Sequence, residues 1–329
     1  MIVLLVCLVA ALAGLMLVGL MLGIPQLSVA DLLTVAGGGG SRLARIVVPE
    51  LRLPRVALGA MAGAMLALAG TLLQDSMRNP LAGPELLGVS NGASLVMAAV
   101  VIFHLPLPWP LYPVAALAGG MLAGTIVLVS MRRVGDPVRL VLMGVSLGAL
   151  LYAAIISIIS LGDQNDVGLL YLYLLGSLAN RTWDYVNLVW PWALVCIPLA
   201  LVMARPLNLL QLGDEMAEGL GLRVVRWRLF IMAIGAAMVA AVVAVSGPIA
   251  YVALASPHMA RRALQTTDAR QVLPVSMLIG SVLLVGADLL AKNLFSPIEL
   301  PVGIWTTIIG GPLLLFLLRR QLAGAKAMR

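Results

Sequence analysis

The sequence predicts an all-α, polytopic membrane protein with ten transmembrane helices, one of them a short proline-containing segment, and with both termini cytoplasmic. Three observations lead there. Of the 329 residues, 62% are hydrophobic and only 11% are charged, whereas a soluble domain is about half apolar and about a quarter charged. The mean hydropathy is +1.07. A membrane span takes roughly 20 apolar residues, so the hydrophobic side chains supply about ten. No single globular core could bury this excess, which excludes a soluble enzyme, a disordered chain and a nucleic-acid binder.

The apolar stretches run near 2–24, 55–75, 85–103, 111–131, 138–160, 185–204, 229–247, 248–260, 272–294 and 303–318. The first resembles a signal peptide, with Ser28-Val29-Ala30 as a small-residue cleavage site. No Lys or Arg precedes it, however, and the run continues past the usual length of such a segment, so it reads as a retained span. The stretch 248–260 is short, opens with Pro248 and contains Pro257; alone it fits a re-entrant segment as well as a crossing. Charge decides between the two. Ten crossings place 15 of the 21 basic residues inside and 6 outside, as the positive-inside bias requires. Without that crossing the split becomes 9 inside and 12 outside. The net charge of +7 is thus a topological signal, and no nucleic-acid partner is implied. Cys7 and Cys196 both sit in apolar stretches, which argues against a disulfide framework.

Residues 1–329 read as one transmembrane domain with two long loops, a periplasmic one at 25–54 and a cytoplasmic one at 205–228. The first holds the run Gly37-Gly38-Gly39-Gly40. In the second, Gly213-Asp214 followed by Glu215, Met216, Ala217 and Leu220 reads as an N-capped short helix stopped at Gly221. Its acids Asp214, Glu215 and Glu218 would be poorly attracted to an anionic leaflet, so it reads as a docking element for a soluble partner.

Several motifs point to chemistry that their context denies. Gly88-Val-Ser90-Asn-Gly92 and Gly144-Val-Ser146-Leu-Gly148 match the nucleophile-elbow pattern, but that motif needs a strand–turn–helix, and both lie near or within predicted spans. The Gly37–Gly40 run is followed by Ser41-Arg42 and is no P-loop; if ATP drives this protein, another chain binds it. Small-xxx-small spacings at Gly59/Gly63, Gly120/Gly124 and Gly144/Gly148 imply close helix packing. Asp288 and Lys292 stand four apart in acid-then-base order, which suits an intrahelical pair, and an ionisable pair within a span is a functional candidate. Arg52 and Arg55 flank Leu53-Pro54 and could grip carboxylates bidentately.

These residues carry a resemblance. Arg52-Leu-Pro-Arg55, Gln74, Arg78-Asn-Pro-Leu-Ala82, Leu87-Gly88, Gly176-Ser-Leu178, Leu212-Gly-Asp214, Gly247-Pro-Ile249, Pro257-His258 with Arg261, Ala287-Asp288 and Glu299-Leu-Pro-Val-Gly303 resemble, in order and over nearly the whole chain, the iron-chelate and cobalamin ABC permeases. The stretch Gly247–Arg262 is most similar to ferric-siderophore permeases of catecholate and citrate type. The resemblance implies a type II importer in the bacterial inner membrane: two permease chains, a heterodimer slightly favoured over a homodimer; two ATP-binding subunits; and a periplasmic substrate-binding protein. It implies that Arg52, Arg55 and Lys292 dock the binding protein, Lys292 standing where relatives usually carry Arg. It places ATPase coupling at Leu212, Gly213, Asp214, Glu215, Ala217, Leu220 and Gly221, and a gate at Asp136-Pro137-Val138. The chain would be no enzyme and would hold no cofactor or metal, His258 being structural rather than an iron ligand. The expected function is ATP-driven import of a ferric siderophore by alternating access. The alternatives are haem or cobalamin as cargo within the same family, an ion-coupled secondary transporter, and an intramembrane serine hydrolase.

Overall fold

The computed structural model describes residues 1–134 and 137–312, and these are helical without strands. Helix α1 (Ile2–Met21) is followed by the short α2 (Val29–Ala36) and α3 (Arg42–Ile46), and a π-helical stretch, Val47–Arg52, leads into α4 (Leu53–Ser76). A 3₁₀ turn at Pro84–Leu87 precedes α5 (Val89–Ile102), and α6 (Tyr112–Val134), α7 (Pro137–Ile159), α8 (Gln164–Leu174) and α9 (Trp183–Val202) follow. The loop predicted at 205–228 holds α10 (Ala204–Gln211) and α11 (Asp214–Gly219). Helices α12 (Val224–Ser246), α13 (Val252–Leu264) and α14 (Ala269–Asn293) come next, and α15 covers 302–312.

Among the described residues, seven helices are long and apolar enough to cross a membrane: α1, α4, α6, α7, α9, α12 and α14. The predicted stretches 85–103, 248–260 and 303–318 correspond to the shorter α5, α13 and α15. Helix α5 starts later than its stretch because Pro84 opens a separate 3₁₀ turn, and Gly88, at φ 65°, redirects the chain. The apolar pattern leaves 161–184 without an element, yet α8 forms there, nucleated by Asp163, whose side chain accepts from the Asp166 amide at its N-terminus.

Helices α4, α12 and α14 form the centre. Helices α4 and α12 are apolar nearly all round and largely buried, the pattern of a helix packed on every side. Small residues let backbones approach where lipid gives no hydrophobic drive. At Gly63 a Cβ would collide with the backbone of Gly280 and Ser281, so α4 and α14 touch backbone to backbone. Thr71 Oγ1 adds a hydrogen bond to Ser276 Oγ across the same contact, at 3.0 Å. Around this centre α13 packs on α4 and α14, α9 on α4 and α12, α6 on α12 and α5, and α1 on α14. Helices α1 and α7 leave most of their surface uncovered.

The glycine contact predicts a site-specific stability loss. Gly63→Val should destabilise the protein by about 1–3 kcal/mol, the usual cost of overpacking, and lower its melting temperature in detergent. Gly14→Val should leave that temperature unchanged, because a Cβ at Gly14 meets nothing within 4 Å.

Candidate docking and coupling sites

Two clusters of charge stand at opposite ends of α4. At its start, Arg55 is 8% exposed and its guanidinium clamps Asp288 of α14 bidentately, Nε to Oδ2 at 2.8 Å and Nη2 to Oδ1 at 3.0 Å. Its Nη1 donates to Glu299 Oε2 at 2.8 Å. Arg52, 4% exposed, turns to the end of α1 and donates to the carbonyls of Leu20, Met21 and Pro25. Lys292 Nζ donates to the Leu22 carbonyl at 2.7 Å. Helix carbonyls beyond the last turn lack partners of their own, and these two cations supply them.

At the other end Arg228 of α12 is fully buried. Its Nη1 and Nη2 bind Asp214 at 3.0 and 2.7 Å, and its Nε donates to the Ser76 carbonyl at the end of α4 at 2.9 Å. Arg78 reaches the same Asp214 carboxylate at 3.3 Å. The hydrogen bonds from Arg228, more than charge alone, hold the Asp214 carboxyl below the usual carboxylate range. Beside it Arg261 of α13 joins Gln74 Oε1 and Asp75 Oδ1 at 2.8 and 2.7 Å. His258 holds the Pro80 carbonyl at 2.9 Å, so the segment after α4 is fastened to α13.

Helix α11 sits on this second cluster. Ala217 is buried against it, while Leu212, Met216 and Leu220 are each more than half exposed. Met216 and Leu220 stand four apart and share the outer face of α11, while Leu212 ends α10 just before Gly213 turns the chain. The Leu222 amide bonds back to the Ala217 carbonyl and Gly221 takes φ +85°, a glycine-dependent helix stop. Between the two ends lies a cavity of about 450 Å³ bounded by α4, α5, α8, α12 and α15. At its rim the Ser177 amide meets the Ser246 carbonyl and the Gly303 amide meets the Gly176 carbonyl.

The structure brings together residues that sequence spacing kept apart, and corrects some expectations. Asp288 and Lys292 do not form the intrahelical pair: Asp288 belongs to Arg55, whose planar fork matches a carboxylate better than an ammonium does, and Lys292 caps α1. Asp214 does not cap α11, because its carboxylate is spent on Arg228 and Arg78; it is the first helical residue and Gly213 holds the N-cap position. Arg52, Arg55 and Lys292 do lie together, but with hydrogen bonds directed into the chain. Gly213, Glu215 and Gly221 fall on or beside α11 as expected. Of the expected gate, Asp136 lies outside the described residues, and Pro137 and Val138 open α7. Sequence reading missed Arg228, whose only signal was a basic residue at the edge of the apolar stretch 229–247, and Met216 as an exposed apolar residue of α11. His104, Asp163 and Asp166 also meet, with donor atoms within 4.8 Å of one another. There His104 pairs with Asp166 at 3.2 Å and Asp163 caps α8, so the group reads as a surface ion pair.

A family model described as the FecCD transport family matches residues 8–320. The Fe(3+) dicitrate transport system permease protein FecD of Escherichia coli (strain K12) is 40% identical over 311 residues, covering 94% of this chain and 96% of that one. The hemin transport system permease protein HmuU of Yersinia pestis is 39% identical over 277 residues, 83% of each chain. A solved structure described as an inward-facing conformation of a metal-chelate type ABC transporter superposes with a TM-score of 0.86 at 27% identity, covering 96% of this chain and 98% of that one.

Two measurements check the clusters. Asp288→Ala should destabilise the protein by up to about 3–5 kcal/mol, the cost of breaking a buried pair, because Arg55 then keeps only its contact to Glu299. Arg55→Met combined with Asp288→Met should recover much of that in detergent melting, and a double variant no better than the single one would refute the pairing. Asp214's folded-state pKa lies below its unfolded value, so its stabilisation is fully present above about pH 3.9 and is lost as pH falls through the lower folded value. Asp214→Asn should therefore lower the melting temperature at pH 7, by an amount that shrinks progressively as pH falls below about 3.9.

Proposed function

Because this chain belongs to the FecCD transport family, and is thus a multi-pass, inner-membrane permease subunit of an ABC importer of the iron-chelate type, we propose that its cargo is a ferric siderophore, moved by ATP-driven alternating access. The observation that carries the cargo is the match to a ferric dicitrate permease over nearly the whole of both chains. The match to a hemin permease supports haem as the second reading.

An ABC permease works with ATPase subunits and a substrate-binding protein. In our reading one of the two ATPases engages this chain at residues 212–221, where the exposed Leu212, Met216 and Leu220 offer apolar surface and Arg228 anchors α11. Closure of the ATPases pushes on α11. Arg228 passes that displacement to Ser76, the end of α4, and Arg78 passes it to the segment that follows. The periplasmic protein docks at the Arg55 end, where three cations stand against two carboxylates and leave an excess of positive charge to meet acidic groups. Here Arg52, Arg55 and Lys292 form the fixed floor of the docking surface. Ten crossings with cytoplasmic termini, a periplasmic loop at 25–54 and a second, different permease chain complete the assembly.

Uptake of radio-iron, presented as ferric citrate or as a catecholate siderophore, should require both this gene and its ATPase. Uptake without the ATPase would refute the mechanism. Met216→Glu with Leu220→Glu should abolish co-purification of the ATPase and cut uptake at least about tenfold, since charge at a buried apolar contact is costly. Both side chains are exposed in the chain itself, so its melting temperature should not change.

A further inference from the structure

The cavity between the two charge clusters contains one ionisable side chain, and it is not part of either cluster. Glu85 lies on the 3₁₀ turn Pro84–Leu87. The other polar side chains at the wall are Ser90, Asn91 and Thr307, and the rest of the lining is apolar. The turn lies at membrane depth. Helix α5, which follows it, has 14 residues, about 21 Å at 1.5 Å per residue, and so falls short of the roughly 30 Å hydrocarbon layer. Leu66, near the middle of α4, lines the same cavity. The segment from Met77 to Gly83 therefore returns the chain into the layer before α5 begins.

The buried charges described above each have a partner, as a membrane interior demands. Glu85 has none: among the described residues it pairs with no basic side chain. Nor is it packed away, since its side chain is exposed toward the cavity. A carboxylate kept at this depth without a counter-charge, facing open space between helices, faces whatever passes through that space.

We propose that Glu85 is a cargo-contacting residue that selects by charge, favouring iron chelates with cationic or hydrogen-bond-donating edges and slowing anionic ones. This rests on the import reading given above. An ionised carboxylate in a low-dielectric passage acts on a charged solute far more strongly than the same charge in water. The apolar remainder of the wall gives no competing preference. Asn91 does not offset the charge, because its amide donates to the Gly148 carbonyl at 2.9 Å. The same binding protein serves every variant, so its own cargo preference cancels when variants are compared.

The test is radio-iron uptake by cells carrying the complete importer with wild-type Glu85, Glu85→Gln or Glu85→Asp. The probes are ferric citrate, which is anionic, and ferrioxamine B, which is cationic. Glu85→Gln should raise the uptake of ferric citrate, or lower that of ferrioxamine B, so that their ratio shifts toward the anion by about fivefold or more, while Glu85→Asp stays within about twofold of wild type. An unchanged ratio in Glu85→Gln would overturn the proposal. So would equal loss of both cargoes in Glu85→Gln and Glu85→Asp, which would mark a structural role. If wild-type cells import neither chelate in an ATPase-dependent way, the import reading fails and the charge selection falls with it.

Discussion

Helix α4 is fastened at both ends by buried guanidinium groups, and the arrangement of the other helices follows from that. At its start Arg55 ties it to Asp288 of α14. At its finish Arg228 of α12 binds the Ser76 carbonyl, and Arg261 of α13 binds Gln74 and Asp75. The three helices packed most intimately on α4 thus each send it one arginine contact or receive one. Lipid supplies no hydrophobic drive for helix association, so packing and polar bonds must fix register. The Gly63–Gly280 contact brings α4 and α14 together, but one row of small residues tolerates sliding by a turn. A bidentate ion pair at one end does not.

The same fastening separates what is rigid from what is free to move. Helix α11 touches the frame through Ala217 and Asp214 and presents everything else outward. Its anchor, Arg228, simultaneously holds the carbonyl at which α4 ends, so displacement of α11 bears directly on the segment 77–88. That segment carries Glu85 into the cavity. Helices α7 and α8, by contrast, leave much of their surface uncovered and make no buried ion pair with the frame among the described residues. In our reading, force entering at α11 would reach the cavity wall through a short chain of charge-assisted bonds, which are strong and directional.

Much of this was legible in the sequence, and the gaps have physical causes. Apolar run length located the long helices because each must match the same bilayer thickness. The Gly-Asp start and the Gly221 stop located α11, since both are local backbone signals. The pairing of Asp288 was not legible. An acid and a base four residues apart make a plausible local pair, but local spacing says nothing about an arginine 233 positions away with better geometry. Asp214 misled for the same reason: an aspartate at a helix start is ordinarily a cap, unless a tertiary partner takes its oxygens. Helix α8 was hidden because its polar first turn interrupts the apolar run by which spans are found.

Glu85 was overlooked for a more general reason. Sequence reading treats a charge at the edge of an apolar stretch as the place where the chain leaves the membrane, and for Arg78 that holds, with a side chain 45% exposed at the end of α4. For Glu85 it does not, because the chain re-enters before α5 begins. These charges divide by what each one faces. Arg55, Asp288, Arg228 and Arg261 face partners, and their desolvation is offset by hydrogen bonds. Glu85 faces a cavity, and no basic side chain among the described residues pairs with it. In our proposal the solute in that cavity is what the Glu85 carboxylate acts on.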